Sequence, residues 1–183
     1  MVVMGCAHVL GNERELPMVG VLWSCGVMLM LTSGCLMLMA DPNEDAARMD
    51  CRTLSKTFFQ KSTAEQMVDF ESLDLENQYT VFTCGMQRLE PPAMHLIWPF
   101  AKQGGAVVDF LKGKLTTARG DVTIRDITHV FETMSLRKTH DVAGDAELMK
   151  VIEDAVARVG DLRFRQWCER ALRTIRQQLM AAP

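Results

Sequence analysis

The chain has 183 residues, room for one compact domain plus an appendage and hardly for two. Its formal net charge of −3 excludes the strongly basic surface of a nucleic-acid binder, so no nucleic-acid partner is expected. A single Tyr and the lack of long alternating Val/Ile/Thr runs exclude a sheet-rich fold and leave an all-α one.

Residues 16–40 carry no charged side chain, reading LPMVGVLWSCGVMLMLTSGCLMLMA, with Met18, Met28, Met30, Met37 and Met39 crowded together. About 20 apolar residues span a bilayer core as a helix, and the same composition near an N-terminus makes the core of an export signal. A buried core helix is the competing reading, disfavoured because such helices rarely run so long without a polar face. Residues 1–40 are therefore expected to be an export signal or membrane anchor. Residues 41–50, opening Asp41-Pro42-Asn43-Glu44-Asp45, would form a polar tether and residues 51–183 a helical domain.

Within the apolar stretch, Leu31-Thr32-Ser33-Gly34-Cys35 resembles the lipobox of bacterial lipoprotein precursors. The resemblance implies that Ser33 and Gly34 supply the small residues before the cleavage point. It also implies that Cys35 takes the lipid and becomes the mature N-terminus. The chain departs from the pattern in three ways: Thr32 replaces a branched apolar residue, Glu13 and Glu15 flank Arg14, and Leu36–Met39 remain apolar. Translation from Met18 would leave a compact signal ending at Gly34. An uncleaved anchor and a cleaved secretory signal stay open beside lipidation, and all three place the domain on a membrane or beyond it. Leu36, where inner-membrane lipoproteins carry Asp, implies the outer membrane of the envelope, facing the periplasm.

Among six cysteines, Cys6, Cys25 and Cys35 fall in the export region, leaving Cys51, Cys84 and Cys168. No spacing suits a metal site. Cys51 and Cys84 could pair in an oxidising compartment, which the chain-entropy account values at about 3 kcal/mol; the alternative is that all three are buried thiols.

Beyond the tether the apolar period is helical. Leu54, Phe58 and Phe59 form a short stripe. Ser62-Thr63-Ala64-Glu65 spells a capping box for a helix with Met67, Val68 and Phe70 inward. Asp74 caps a helix carrying Leu75, Tyr79, Phe82 and Met86, which stops before Pro91-Pro92. The run 93–102 would bury Met94, Ile97, Trp98 and Ala101, with Pro99 kinking or shortening it. After Gly104-Gly105 comes a helix with Val107, Val108, Phe110, Leu111 and Leu115. Thr123 caps the next, with Ile127, Val130, Phe131 and Met134 inward. Asp145 opens a helix through Leu148, Ile152, Val156 and Val159, closed near Gly160. Asp161 opens the last, with Phe164, Cys168, Ala171, Ile175 and Leu179 along one face. Short connections make sequential helices antiparallel neighbours, giving a small antiparallel helical bundle or a short armadillo-like array of helix pairs.

Chemistry is sparse. No HExxH, GxSxG or phosphate loop occurs, and no cofactor is implied. His95, Trp98 and Cys84 are the candidates for a small-ligand or enzyme pocket. His129 is expected at a helix's polar edge. His140-Asp141 and Arg119-Gly120-Asp121 read as loop and turn. The C-terminal segment is arginine-rich: Arg158, Arg163, Arg165, Arg170, Arg173 and Arg176 meet only Asp161 and Glu169 between 158 and 180. Residues 41–77 hold nine acids against four bases, so the acidic part could pack beside the basic helix. The alternative is a docking face for an acidic partner or anionic lipid. The diproline corner near Trp98 and Phe100 is a second candidate recognition edge. The expected function is that of a membrane-anchored envelope lipoprotein with a noncatalytic protein-interaction domain, for instance an immunity protein neutralising a toxin. The alternative is the pocket protein built on His95, Trp98 and Cys84, and a purely structural envelope component is the third class.

Overall fold

The computed structural model describes residues 50–180, apart from the side chain of Leu179. The export segment, Cys35 and nearly all of the tether lie outside the described residues. The fold is all-α, with no strand among the described residues. In chain order come α1 (Cys51–Lys56), a 3-10 turn (Phe58–Gln60), α2 (Thr63–Ser72) and α3 (Leu75–Arg88). A second 3-10 turn (Met94–Leu96) leads into α4 (Ile97–Ala101), followed by α5 (Gly105–Thr117), α6 (Asp121–Arg137), α7 (Ala146–Ala157) and α8 (Leu162–Met180). None of the described helices is long and apolar enough to cross a membrane.

Local chemistry sets most of the helix starts. Asp50, Ser62, Asp74 and Asp145 each accept a hydrogen bond from a backbone N–H of the first turn, relieving donors that no preceding carbonyl can reach. At Ser62 the capping box is complete: the Glu65 carboxylate accepts from the Ser62 hydroxyl and from the Ser62 N–H, and these two bonds, the hydroxyl's first, hold its pKa below the usual carboxylate range. α6 differs from expectation, since it begins at Asp121 after Gly120, so Thr123 lies inside its first turn rather than capping it. The Asp121 carboxylate turns instead to the backbone N–H groups of Gly160 and Asp161, at 3.1 and 2.7 Å, tying the start of α6 to that of α8. Gly104 has φ +58°, and a Cβ there would collide with the Thr139 carbonyl, so only glycine closes the α4–α5 corner.

The core runs through every described helix. Phe70, Phe82 and Phe100 meet edge to face, with ring centroids 5.1 and 5.2 Å apart, and join α2, α3 and α4. α6 is the centre of the domain, packing most extensively on α8 and α4, while α5 packs on α7. The helices from α4 onward thus form two rows, α4–α6–α8 and α5–α7, built by contacts between alternate helices. Three inward assignments from periodicity are corrected. Val68 is 70% exposed, because Gln66 and Phe70 are the α2 residues that turn in. Met94 and Trp98 face solvent, and Ile97, Phe100 and Ala101 fill the interior in their place. Pro99 causes no interior break: it sits in the first turn of a five-residue helix, where its missing N–H has no carbonyl to meet.

Candidate functional site

The strongest departure from a neutral surface lies on α8, whose sequence from Leu162 to Met180 holds five arginines and one acid, Glu169. Phe164, Cys168, Ala171, Leu172 and Ile175 pack inward, and the apolar period leaves Arg163, Gln166, Arg170, Arg173 and Gln177 on the outer arc.

Partners divide the arginines into two groups. Arg158, just before α8, donates to the Leu115 carbonyl at 3.0 Å, satisfying the end of α5. Arg165 donates through Nε and Nη2 to the Val159 carbonyl, 2.9 and 2.5 Å away. Arg176 pairs with Glu153 of α7 at 2.7 Å, and Arg163 lies 3.9 Å from Asp161. Arg170 and Arg173, in contrast, have no carboxylate partner among the described residues. The acids of the N-terminal helices do not supply one: Asp69 pairs with Lys61, Glu71 with Lys102 and Glu76 with Lys114. Packing of the acidic N-terminal part beside the basic helix is therefore not what the described residues form, since α8 lies on α6 and α7.

Beside the unpaired arginines, α6 and α8 enclose a shallow groove of about 200 Å³, lined by His129, Glu132, Trp167, Arg170 and Ala171. Trp167 is 47% exposed. The His129 ring meets it edge to face at 6.1 Å, and the Arg170 guanidinium lies 5.6 Å from the centroid of its ring. Glu132 reaches to 4.0 Å from His129 Nε2 on the α6 side. The sequence reading missed Trp167 and this groove. The available signal was that Trp167 falls off the Phe164–Cys168–Ala171–Ile175 stripe while Arg170 follows three positions on, within reach of its ring.

The other candidates are placed as follows. Cys51 and Cys84 form a disulfide, with Cα atoms 5.4 Å apart. The Cys84 sulfur is thereby committed and cannot serve as a thiol nucleophile. His95 is half-buried and donates from Nε2 to the Gln66 Oε1 atom at 2.8 Å. Burial pushes its pKa below the usual imidazole value. A Cys84–His95 pair is therefore not formed. Trp98 stands on α4, where the Arg137 guanidinium of α6 lies 5.7 Å from the centroid of its ring, and it is not among the residues lining the groove. His140 Nε2 is buried without a hydrogen-bond partner among the described residues, 3.7 Å from Asp145. Asp141 accepts from the Gly144 N–H, and Arg119-Gly120-Asp121 lies across the α5–α6 turn. Cys168 is a buried thiol with its pKa pushed up to about 11 by burial, which makes it unreactive.

Asp126 of α6 is a buried carboxylate. It accepts two hydrogen bonds from Arg125, at 2.8 and 2.5 Å, and faces Gln87 of α3. Burial raises its pKa, against the opposing pull of Arg125. Arg125 in turn lies over the Phe164 ring at 5.0 Å, locking α6 to α8. Among the described residues no group of three or more His, Cys, Asp or Glu side chains could hold a metal ion. Compared with protein-family models, curated proteins and solved structures, the chain matches none.

Proposed function

We propose that this chain is a bacterial envelope protein, anchored through its N-terminal apolar segment, whose helical domain is a noncatalytic protein-binding module on the periplasmic side. The observation that carries the reading is the Cys51–Cys84 disulfide. Such bonds form and persist in oxidising compartments and are rare where thiols are kept reduced. This agrees with an independent signal, the uncharged run 16–40 with its lipobox-like Leu31–Cys35. The binding role draws its support from the α8 surface, where Arg170 and Arg173 have no carboxylate partner among the described residues and Arg170 lies against the exposed Trp167, the kinds of side chain in which interface energy concentrates.

The experiment is intact-mass measurement, with N-terminal mapping, on protein purified from membranes under non-reducing conditions. The expected species begins at Cys35, carries acyl mass and keeps Cys51 and Cys84 oxidised. A longer, unacylated chain in the membrane would replace lipidation by a spanning anchor. A full-length chain in the cytosol with both thiols reduced would overturn the reading.

A further inference from the structure

We propose that the α6–α8 groove docks an acidic segment of a partner protein, with Trp167 as its apolar floor, Arg170 on its wall and Arg173, one turn further along α8 outside the groove, as a second carboxylate-binding group. The inference rests on the protein-binding role above and names the site and the chemistry of the partner.

Charge complementarity is the first argument. Arg158, Arg165 and Arg176 are each engaged within the fold, but Arg170 and Arg173 point their charge at solvent one turn apart on the outer arc of α8. Arg170 is also held by Trp167, whose ring face restrains the guanidinium. A guanidinium so restrained loses less side-chain freedom when its edge takes a carboxylate in a two-point contact. Glu132 on the opposite wall places a negative charge beside His129, which steers an incoming carboxylate to the α8 rim and away from α6.

Size and polarity decide the class of occupant. A groove of about 200 Å³ is smaller than the ~300–1,000 Å³ clefts that enclose small-molecule ligands, and it is open to one side. It accepts one apolar side chain of a longer segment against Trp167, while flanking acids of that segment meet Arg170 and Arg173. A bilayer surface fits less well. A helix that lies in the lipid interface buries an apolar face there, whereas the apolar stripe of α8 is spent on α6 and α7. Between Arg163 and Gln177 the outer arc offers Gln166, Arg170 and Arg173, while Trp167 lies off that arc and lines the groove.

The test uses the full chain in nanodiscs of zwitterionic lipid and a short fluorescent peptide in which glutamate pairs flank leucines, read by polarisation. Saturable binding is expected, weakening as NaCl rises. The exposed double variant Arg170→Gln/Arg173→Gln is expected to lose affinity by about tenfold or more, with Trp167→Ala comparable. Arg137→Gln, in the Trp98 patch, is expected to bind as wild type, and a peptide with lysines in place of glutamates is expected not to bind. Equal affinity of wild type and the double arginine variant would overturn the proposal, as would the absence of saturable binding. Recruitment to phosphatidylglycerol vesicles without peptide binding would overturn it in favour of lipid. Should Trp167→Ala fail to fold, the arginine variants decide, since both side chains are exposed. None of these results alters the mass and thiol state of the mature chain, so failure of the docking site and failure of the envelope assignment are read separately.

Discussion

Gln66 and Gln78 are nearly fully buried polar side chains, and they occupy the same place in successive helices. Each is the fourth residue after its N-cap, and each donates to the carbonyl just before that cap: Gln66 to Lys61 at 2.8 Å, Gln78 to Leu73 at 2.9 Å. With the amide nitrogen thus committed, the amide oxygen is left to accept, from His95 at Gln66 and from Gln103 at Gln78. That assignment places a proton on His95 Nε2, because the Gln66 oxygen has none to give. Burial lowers the His95 pKa below 6.5, so as pH falls the unfolded chain takes up the second ring proton, the one destined for Nδ1, before the folded chain does. His95 thus contributes stability that is held above its unfolded pKa and lost as pH falls through its folded pKa. Thermal melts from pH ~7 to pH ~5 should show a steeper fall in midpoint for wild type than for His95→Gln, which keeps a donor but cannot titrate. Parallel slopes for the two proteins would remove His95 as the cause.

At the scale of elements, α4 is the joint between the N-terminal helices and the two rows that follow. It has only five residues, too few to hold a helix by itself, and its place is fixed by Phe100 between Phe70 and Phe82. Phe100→Ala should cost about 4 kcal/mol in urea denaturation, through lost apolar contact and the cavity left behind. A loss below about 1 kcal/mol would mean that the joint is held elsewhere. α4 also marks where the sequence was hard to read. Long helices with one apolar stripe, α6 and α8, were legible because period alone selects their buried face. In α4 the burial is chosen by aromatic partners 18 and 30 positions upstream, which turn Phe100 in and Trp98 out. In α2 the buried Gln66 displaces Val68, and an apolar period cannot register a polar side chain drawn inward by its own hydrogen bonds. The start of α6 was misplaced for a similar reason, since Asp121 answers to N–H groups almost forty residues away. The arginines of α8 were legible as a count, but which of them remain unpaired depends on Leu115, Val159 and Glu153, partners that only the fold brings near.

For the domain as a whole, the disulfide decides how far the N-terminal end can loosen. α1 is a six-residue helix, well short of what is stable alone, and its packing partners are α3 and the 3-10 turn that follows it. Leu54 anchors it to the core, and the bond from Cys51 to Cys84 fastens it to α3 across a sequence separation of 33. Closing such a loop in the unfolded chain is worth about 3 kcal/mol in the chain-entropy account. The double variant Cys51→Ser/Cys84→Ser, or wild type treated with reductant, should therefore lose about that much stability. The loss should not be uniform. α1 is short, at the end of the described chain, and packs only on α3 and the neighbouring 3-10 turn, so its amides should lose hydrogen-exchange protection first, while α6 and α8 keep theirs until global unfolding. Hydrogen exchange followed segment by segment, with and without reductant, checks this directly. Unchanged protection of α1 after reduction would show that Leu54 and the 3-10 turn suffice to hold it. Loss confined to α1 would mean that a reducing compartment strips the domain of its first helix while α6, α8 and the groove between them stay in place.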